Sequence, residues 1–171
     1  MPSSQTLISV AEYLAASYSD GDREYIEGRV VERNLGEKGH SRVQKQLIVF
    51  FAAREKTVGT FCFPEQRVQV KRDRFRVPDV CVYIGQEPDE EVFTTPPFLV
   101  VEILSPRDTA SSLQNKVEEY LSFGVPFVWV IDPASRRGYI HTADGSRPAK
   151  DGVLRTAGPE IETPLASLFP A

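Results

Sequence analysis

Apolar and polar positions alternate along this chain with two different periods, and the changes of period divide it into elements. Ser9 to about Ala16 reads as a short helix: Ser9 is a candidate cap, Glu12 stands at the capping-box position, and Tyr13 and Leu14 give an apolar edge. Ser19-Asp20-Gly21-Asp22 is a turn. Glu24 to Arg33 alternates as a hairpin with Glu27-Gly28 at its bend, and Gly36 to Gly39 is a polar loop. From His40 to about Lys56 the helical period returns in Val43, Leu47, Phe50, Phe51 and Arg54, with Gly59 just past the end. His40 opens that helix near the face that packs.

The strand period follows. Thr60 to Phe63 continues into Arg67 to Val70 with a break near Pro64, and Lys71 to Arg74 is a basic turn into a return strand, Phe75 to Ile84. An acidic, proline-bearing loop, Gly85 to Pro97, leads to Phe98-Leu99-Val100-Val101-Glu102-Ile103-Leu104, an apolar run with one acid in it. Ser112 or Ser111 is expected to cap a helix that runs to about Phe123 and ends at Gly124. Phe127 to Ile131 reads as a strand buried on both faces, closed by Asp132-Pro133. Arg137 to Thr142 and Gly152 to Thr156 suggest a final edge hairpin, and Leu165, Leu168 and Phe169 a tail tucked against the body. A strand-helix-strand crossover from Phe98 to Ile131 implies a parallel pair, while the earlier strands form an antiparallel meander. The expected class is α/β (α+β): a mixed central sheet flanked by helices, one domain with one core spanning about 9–133, then an edge hairpin and tail.

Composition excludes more than it assigns. The 171 residues suffice for one domain, and 41% hydrophobic with 26% charged residues is ordinary globular usage. No apolar run approaches the ~20 residues of a membrane span, and the N-terminal residues lack the basic and apolar regions of a signal peptide. Cys62 and Cys81 lie in apolar strands and read as free thiols, which points to a reducing cytoplasm. A net charge of −4 argues against a strongly electrostatic, non-specific nucleic-acid binder, though not against a local basic patch.

The chemistry gathers around Glu102. A buried carboxylate must be paired or coordinate a metal, and the nearest candidate partner is Asp79, after Pro78 at the start of the neighbouring strand-like run. Two carboxylates facing one another on adjacent strands can hold a hard cation, to which the Ile103 carbonyl could add a ligand. The rival reading is a structural ion network. On the following helix Leu113, Val117, Tyr120 and Leu121 share an arc, with Lys116 at its margin while Glu118 and Glu119 point away. Lys116 could stabilise hydroxide and the charge developing on a phosphorane, or simply bridge to Glu102.

The segments Val77-Pro78-Asp79-Val80, Val100-Val101-Glu102-Ile103-Leu104-Ser105-Pro106 and Lys116 through Pro133 together resemble the Uma-type restriction endonuclease family, within the restriction-endonuclease-like PD-(D/E)XK nuclease superfamily. The resemblance runs from the Tyr25-Ile26-Glu27-Gly28 hairpin to Pro133. It implies Mg²⁺- or Mn²⁺-dependent hydrolysis of phosphodiesters in nucleic acid, DNA foremost, with Asp79 as the motif aspartate and Glu102 as the second acid. The motif lysine would fall at position 104, which is Leu104 here; Lys116 fits a lysine supplied from the helix instead. Glu27 and His40 match recurrent family positions, as a further metal ligand and a catalytic histidine; a solvated turn acid and a helix-start histidine are their plain alternatives. Arg74, Arg76 and Arg107 are candidate phosphate contacts, although a charged hairpin tip is usually just solvated. Fold analogy adds a homodimer through the edge hairpin. The alternative to a nuclease is a catalytically idle binding module or subunit on the same fold.

Overall fold

The computed structural model describes residues 7–19, 22–34 and 36–169; Asp20 and Gly21 of the expected turn lie outside them. In chain order the elements are α1 (Val10–Ala15), β1 (Glu24–Ile26), β2 (Arg29–Val31), α2 (Lys38–Ala52), α3 (Glu55–Val58), β3 (Thr60–Pro64), β4 (Val68–Lys71), β5 (Arg74–Arg76) and β6 (Val80–Ile84). They continue as β7 (Leu99–Ile103), α4 (Ala110–Phe123), β8 (Phe127–Asp132), β9 (Arg137–Thr142), β10 (Gly145–Pro148), β11 (Val153–Arg155), β12 (Glu162–Pro164) and α5 (Leu165–Leu168). Mixed α/β architecture, with a mixed central sheet flanked by helices, is what the alternation predicted.

The central sheet has six strands in the order β10-β9-β8-β7-β6-β3, and β7–β8 is its parallel pair, joined through α4. Period 2 gives each strand two apolar faces. Val80 and Val82, Leu99, Val101 and Ile103, and Trp129 and Ile131 pack under Val43, Leu47 and Phe51 of α2. The intervening Cys81, Tyr83, Val100, Val128 and Val130 pack under Val117 and Tyr120 of α4. Glu102 therefore belongs by parity to the α4 face.

A second sheet, β2-β1-β5-β4, departs from the expected meander. The return strand predicted as continuous from Phe75 to Ile84 is two strands in two sheets. Pro78 has no N–H to donate to a ladder, so Val77-Pro78-Asp79 is a crossing between β5 and β6. On the smaller sheet Tyr25 and Phe75 stack against Tyr13 of α1. Glu24, Arg74 and Arg76 carry the opposite parity.

Three local expectations are corrected. Thr109, not Ser111 or Ser112, caps α4, its hydroxyl accepting the Ser112 N–H at 3.2 Å. The long helix breaks after Ala52, and its last turn is the separate α3, ended by Gly59 at φ 75°. The edge hairpin pairs β9 with β10, whereas Val153–Arg155 pairs with Glu162–Pro164. The tail does tuck in, with Leu165 and Leu168 buried against the α2 side of the sheet.

Gly138 of β9 makes that docking close: a Cβ there would lie 2.9 Å from Leu165 and 3.0 Å from Leu154. Gly138→Ala is expected to destabilise the protein by about 1–3 kcal/mol in urea unfolding, and less in a Leu165→Ala background, where the Leu165 methyls are gone and only Leu154 obstructs.

Candidate active site

The crossing between the sheets sets the site. Val80 is paired with Val101 in antiparallel register, so Asp79, one residue before it, comes opposite Glu102. Both are nearly sealed, at 4% and 6% exposure. Asp79 Oδ2 accepts the Ile103 N–H at 2.7 Å. Its Oδ1 meets Arg33 Nη2 at 2.7 Å and His40 Nε2 at 3.2 Å. One turn along α2 from His40, Gln44 Nε2 donates to the Asp79 carbonyl at 3.0 Å. Gly36 leaves room for the imidazole, since a Cβ there would lie 2.6 Å from His40 Nδ1.

Glu102 meets α4. Tyr120 donates its hydroxyl to Oε1 at 2.7 Å, and Lys116 Nζ lies 3.3 Å from Oε2. Lys116 also lies 3.1 Å from Glu24 Oε1, and Arg76 Nη1 donates to Glu24 Oε2 at 2.6 Å. Arg76 Nε then bonds Glu119 Oε2 at 2.6 Å, and Arg74 joins Glu119 to Glu27. Positive and negative side chains thus alternate from the buried Glu102 outward to Glu27 at the surface.

Burial and partners compete at each group. Burial pushes Asp79 up, but the His40 hydrogen bond and charge, Arg33 and the Ile103 N–H hold it below the ordinary aspartate range. Burial pushes Glu102 up and prevails; Lys116 opposes it, while the Asp79 and Glu24 charges add to it. Burial would lower Lys116, yet Glu102 and Glu24 raise it and keep the ammonium charged. His40 behaves alike: burial lowers it, and Asp79 more than restores it, so its proton is held more tightly than usual.

Asp79, Glu102, Ile103, Lys116 and His40 are brought together. Glu27 is not: it sits in the β1–β2 turn at φ 50°, largely exposed, with its carboxylate on Arg74. The hairpin acid that enters is Glu24, three residues earlier. Arg76 is corrected from a phosphate contact to a buried link, held between two carboxylates at 5% exposure. Arg74 is likewise turned toward Glu27 and Glu119. Arg107 is exposed on the rim of a 330 Å³ cavity that Arg33, His40, Gln44 and Asp79 also line. Glu119, expected to point away, is buried on the α4 face that meets β5. Sequence reasoning missed Glu24, Arg33, Glu119 and Tyr120. Glu24 opens its strand next to Asp22-Arg23, so no apolar run around it signalled its burial.

Glu24 joins Lys116 to Arg76, so Glu24→Gln should destabilise the protein by about 3 kcal/mol at pH 7, as breaking a buried pair does. Burial raises the Glu24 pKa, but Lys116 and Arg76 bring it below its ordinary 4.5. Its stabilisation is therefore complete above that ordinary value and lost as pH falls through the lowered one. Urea unfolding of wild type and Glu24→Gln should converge in acid; a gap that stays constant with pH would contradict the charge pairing.

A crystal structure described as "a putative nuclease belonging to DUF820" from Anabaena variabilis ATCC 29413 aligns over 95% of this chain and 97% of its own, with a TM-score of 0.79 and 22% identity. At that identity the likeness speaks for the fold. No curated protein matches the sequence. The Uma2 family, described as "Putative restriction endonuclease", matches residues 10–166, and the chain belongs to that family.

Proposed function

We propose that the protein is a divalent-metal-dependent nuclease that hydrolyses phosphodiester bonds in nucleic acid, DNA foremost, at Asp79, Glu102 and Lys116. The observation that carries this reading is one geometry: two buried carboxylates opposed on neighbouring strands, with an ammonium 3.3 Å from one of them, beside an open cavity.

The donor set fits a hard cation. Mg²⁺ and Mn²⁺ favour carboxylate and carbonyl oxygens, and Mg²⁺ usually takes one or two protein carboxylates. Burial raises the Glu102 pKa despite Lys116, and a cation bound there would favour the charged carboxylate. Asp79, Glu102 and the Ile103 carbonyl would hold the ion. When bound, it supplies Lewis acidity toward a phosphoryl oxygen and makes water a better nucleophile.

The chain's own groups do the rest. The Ile103 N–H and the Tyr120 hydroxyl fix the two carboxylates in place. Lys116, pinned between Glu24 and Glu102, presents a fixed positive charge where negative charge builds up during in-line attack. That is the task of the motif lysine for which Leu104 has no group. His40 orients Asp79 through Oδ1, and Arg107 on the rim is suited to grip a flanking phosphate.

A second reading, binding without cleavage, is favoured by one contact: Arg33 already sits on Asp79. Supercoiled plasmid and single-stranded oligonucleotides, with Mg²⁺ or Mn²⁺, separate the two. Wild type should cut, Asp79→Ala should not cut while still folding, and Lys116→Met should be roughly 10²–10³-fold slower. Cleavage retained in Asp79→Ala overturns the assignment. An Mn²⁺-dependent thermal shift that Glu102→Gln removes, with no cutting of any substrate, would favour the binding module.

A further inference from the structure

We propose that Arg33 is a displaceable stopper of this site: its guanidinium rests on Asp79 until a divalent cation takes that carboxylate, and then turns to the substrate phosphate. The proposal rests on the nuclease reading and assigns a role to a residue that this reading leaves unused.

Arg33 lies between elements, two residues past the end of β2 and five before α2 begins. The side chains on both sides of it are engaged. Glu32 bridges to Arg23 at 3.3 Å, and Asn34 Nδ2 donates to Asp108 Oδ1 at 2.7 Å. Asp108 is itself anchored, its Oδ2 accepting the Ser105 N–H at 2.7 Å. A long arginine side chain on such a segment can move its charged end through its own rotamers.

Arg33 borders two cavities. One, of 330 Å³, holds His40, Gln44, Asp79 and Arg107. The other, of 310 Å³, holds Glu24, Asn115 and Lys116. Glu32, Arg33 and Asn34 line both, so withdrawal of the guanidinium joins the Asp79 side to the Lys116 side in one trough.

The carboxylate chemistry sets the exchange. Asp79 Oδ2 is committed to the Ile103 N–H, and Oδ1 is the oxygen that Arg33 and His40 share. A cation approaching Oδ1 meets a guanidinium 2.7 Å from that oxygen, and like charges at such range repel strongly in a sealed pocket. Arginine cannot relieve the conflict by losing its proton. It must leave, and its planar fork matches the oxygens of a phosphodiester. A purely structural Arg33 predicts the opposite: its loss would loosen the site and weaken cation binding.

The test is calorimetric titration of Mn²⁺ into the full chain for wild type, Arg33→Ala and Arg33→Gln, each with and without Asp79→Asn. Fluorescence anisotropy of a single-stranded oligonucleotide, with Ca²⁺ as the cation, accompanies it. Both Arg33 variants should bind Mn²⁺ about tenfold more tightly, a usual size for coupling between two ligands of one site, and Asp79→Asn should remove the gain. The same variants should bind the oligonucleotide about tenfold more weakly. Arg33→Gln keeps a hydrogen-bond donor on a shorter, uncharged side chain, and its thermal unfolding reports whether the fold survives. If wild type binds Mn²⁺ through Asp79 but the variants bind no better, or hold the oligonucleotide as well as wild type, the stopper falls and the nuclease reading stands. If neither wild type nor the variants bind Mn²⁺, both fall.

Discussion

A carboxylate on a strand covered on both faces has to be met by cations or donors, and Glu102 imposes that condition on everything around it. β7 is buried from Leu99 to Ile103, and α4 answers with Tyr120 and Lys116. An ammonium brought that deep needs more than one counter-charge, and β1 supplies Glu24. Glu24 in turn draws Arg76, Arg76 draws Glu119, and the sequence ends only where Arg74 reaches Glu27 at the surface. Buried ion pairs seldom add net stability over packed apolar side chains. Such a chain is better understood as placement: it holds one lysine against one glutamate with nearly every polar atom engaged.

Pro78 explains why this happens where it does. By ending the β5 ladder it lets the chain leave one sheet and enter another, and Asp79 falls in the gap. Its carboxylate is satisfied by Ile103 N–H from the large sheet, by His40 from α2 and by Arg33 from the segment after β2. The site is thus assembled from the central sheet, the small sheet and both flanking helices. That position also gives it access to solvent, because a seam between sheets leaves a cavity where a continuous sheet would be packed shut.

Much of this was legible in the sequence, for definite reasons. Ser9 and Glu12 form the predicted capping box, and Val43, Leu47 and Phe51 are fully buried, because local periodicity and capping are written within a few residues. The acid in Leu99 to Ile103 was legible because its burial cost demands a partner. The split of Phe75 to Ile84 into two sheets was not, since both pieces have strand periodicity and only their partners differ. Nor was the pairing of β9 with β10, four exposed residues without any apolar alternation. Glu119 and Arg76 looked like surface charges because each is buried by the other; a mutual solution of that kind leaves no trace in either one's neighbours along the chain. Arg33 stood at the end of the predicted hairpin, where alternation marks a strand but says nothing of a partner far along the chain.

The division between fixed and movable parts follows from where each charge is anchored. Glu102, Asp79 and Lys116 stand on or beside strands and a helix, and each is held by at least two partners from other elements. Groups held so firmly can be set in advance for a charge distribution that exists only during reaction, which is how a low-dielectric site gains most from its dipoles and charges. Such a site cannot also be uncompensated at rest, because Asp79 beside Glu102 would then concentrate negative charge on two nearly buried carboxylates. Some positive group must occupy it in the meantime and be able to leave. A guanidinium on an irregular segment meets both requirements, whereas a second helix-borne lysine would meet only the first.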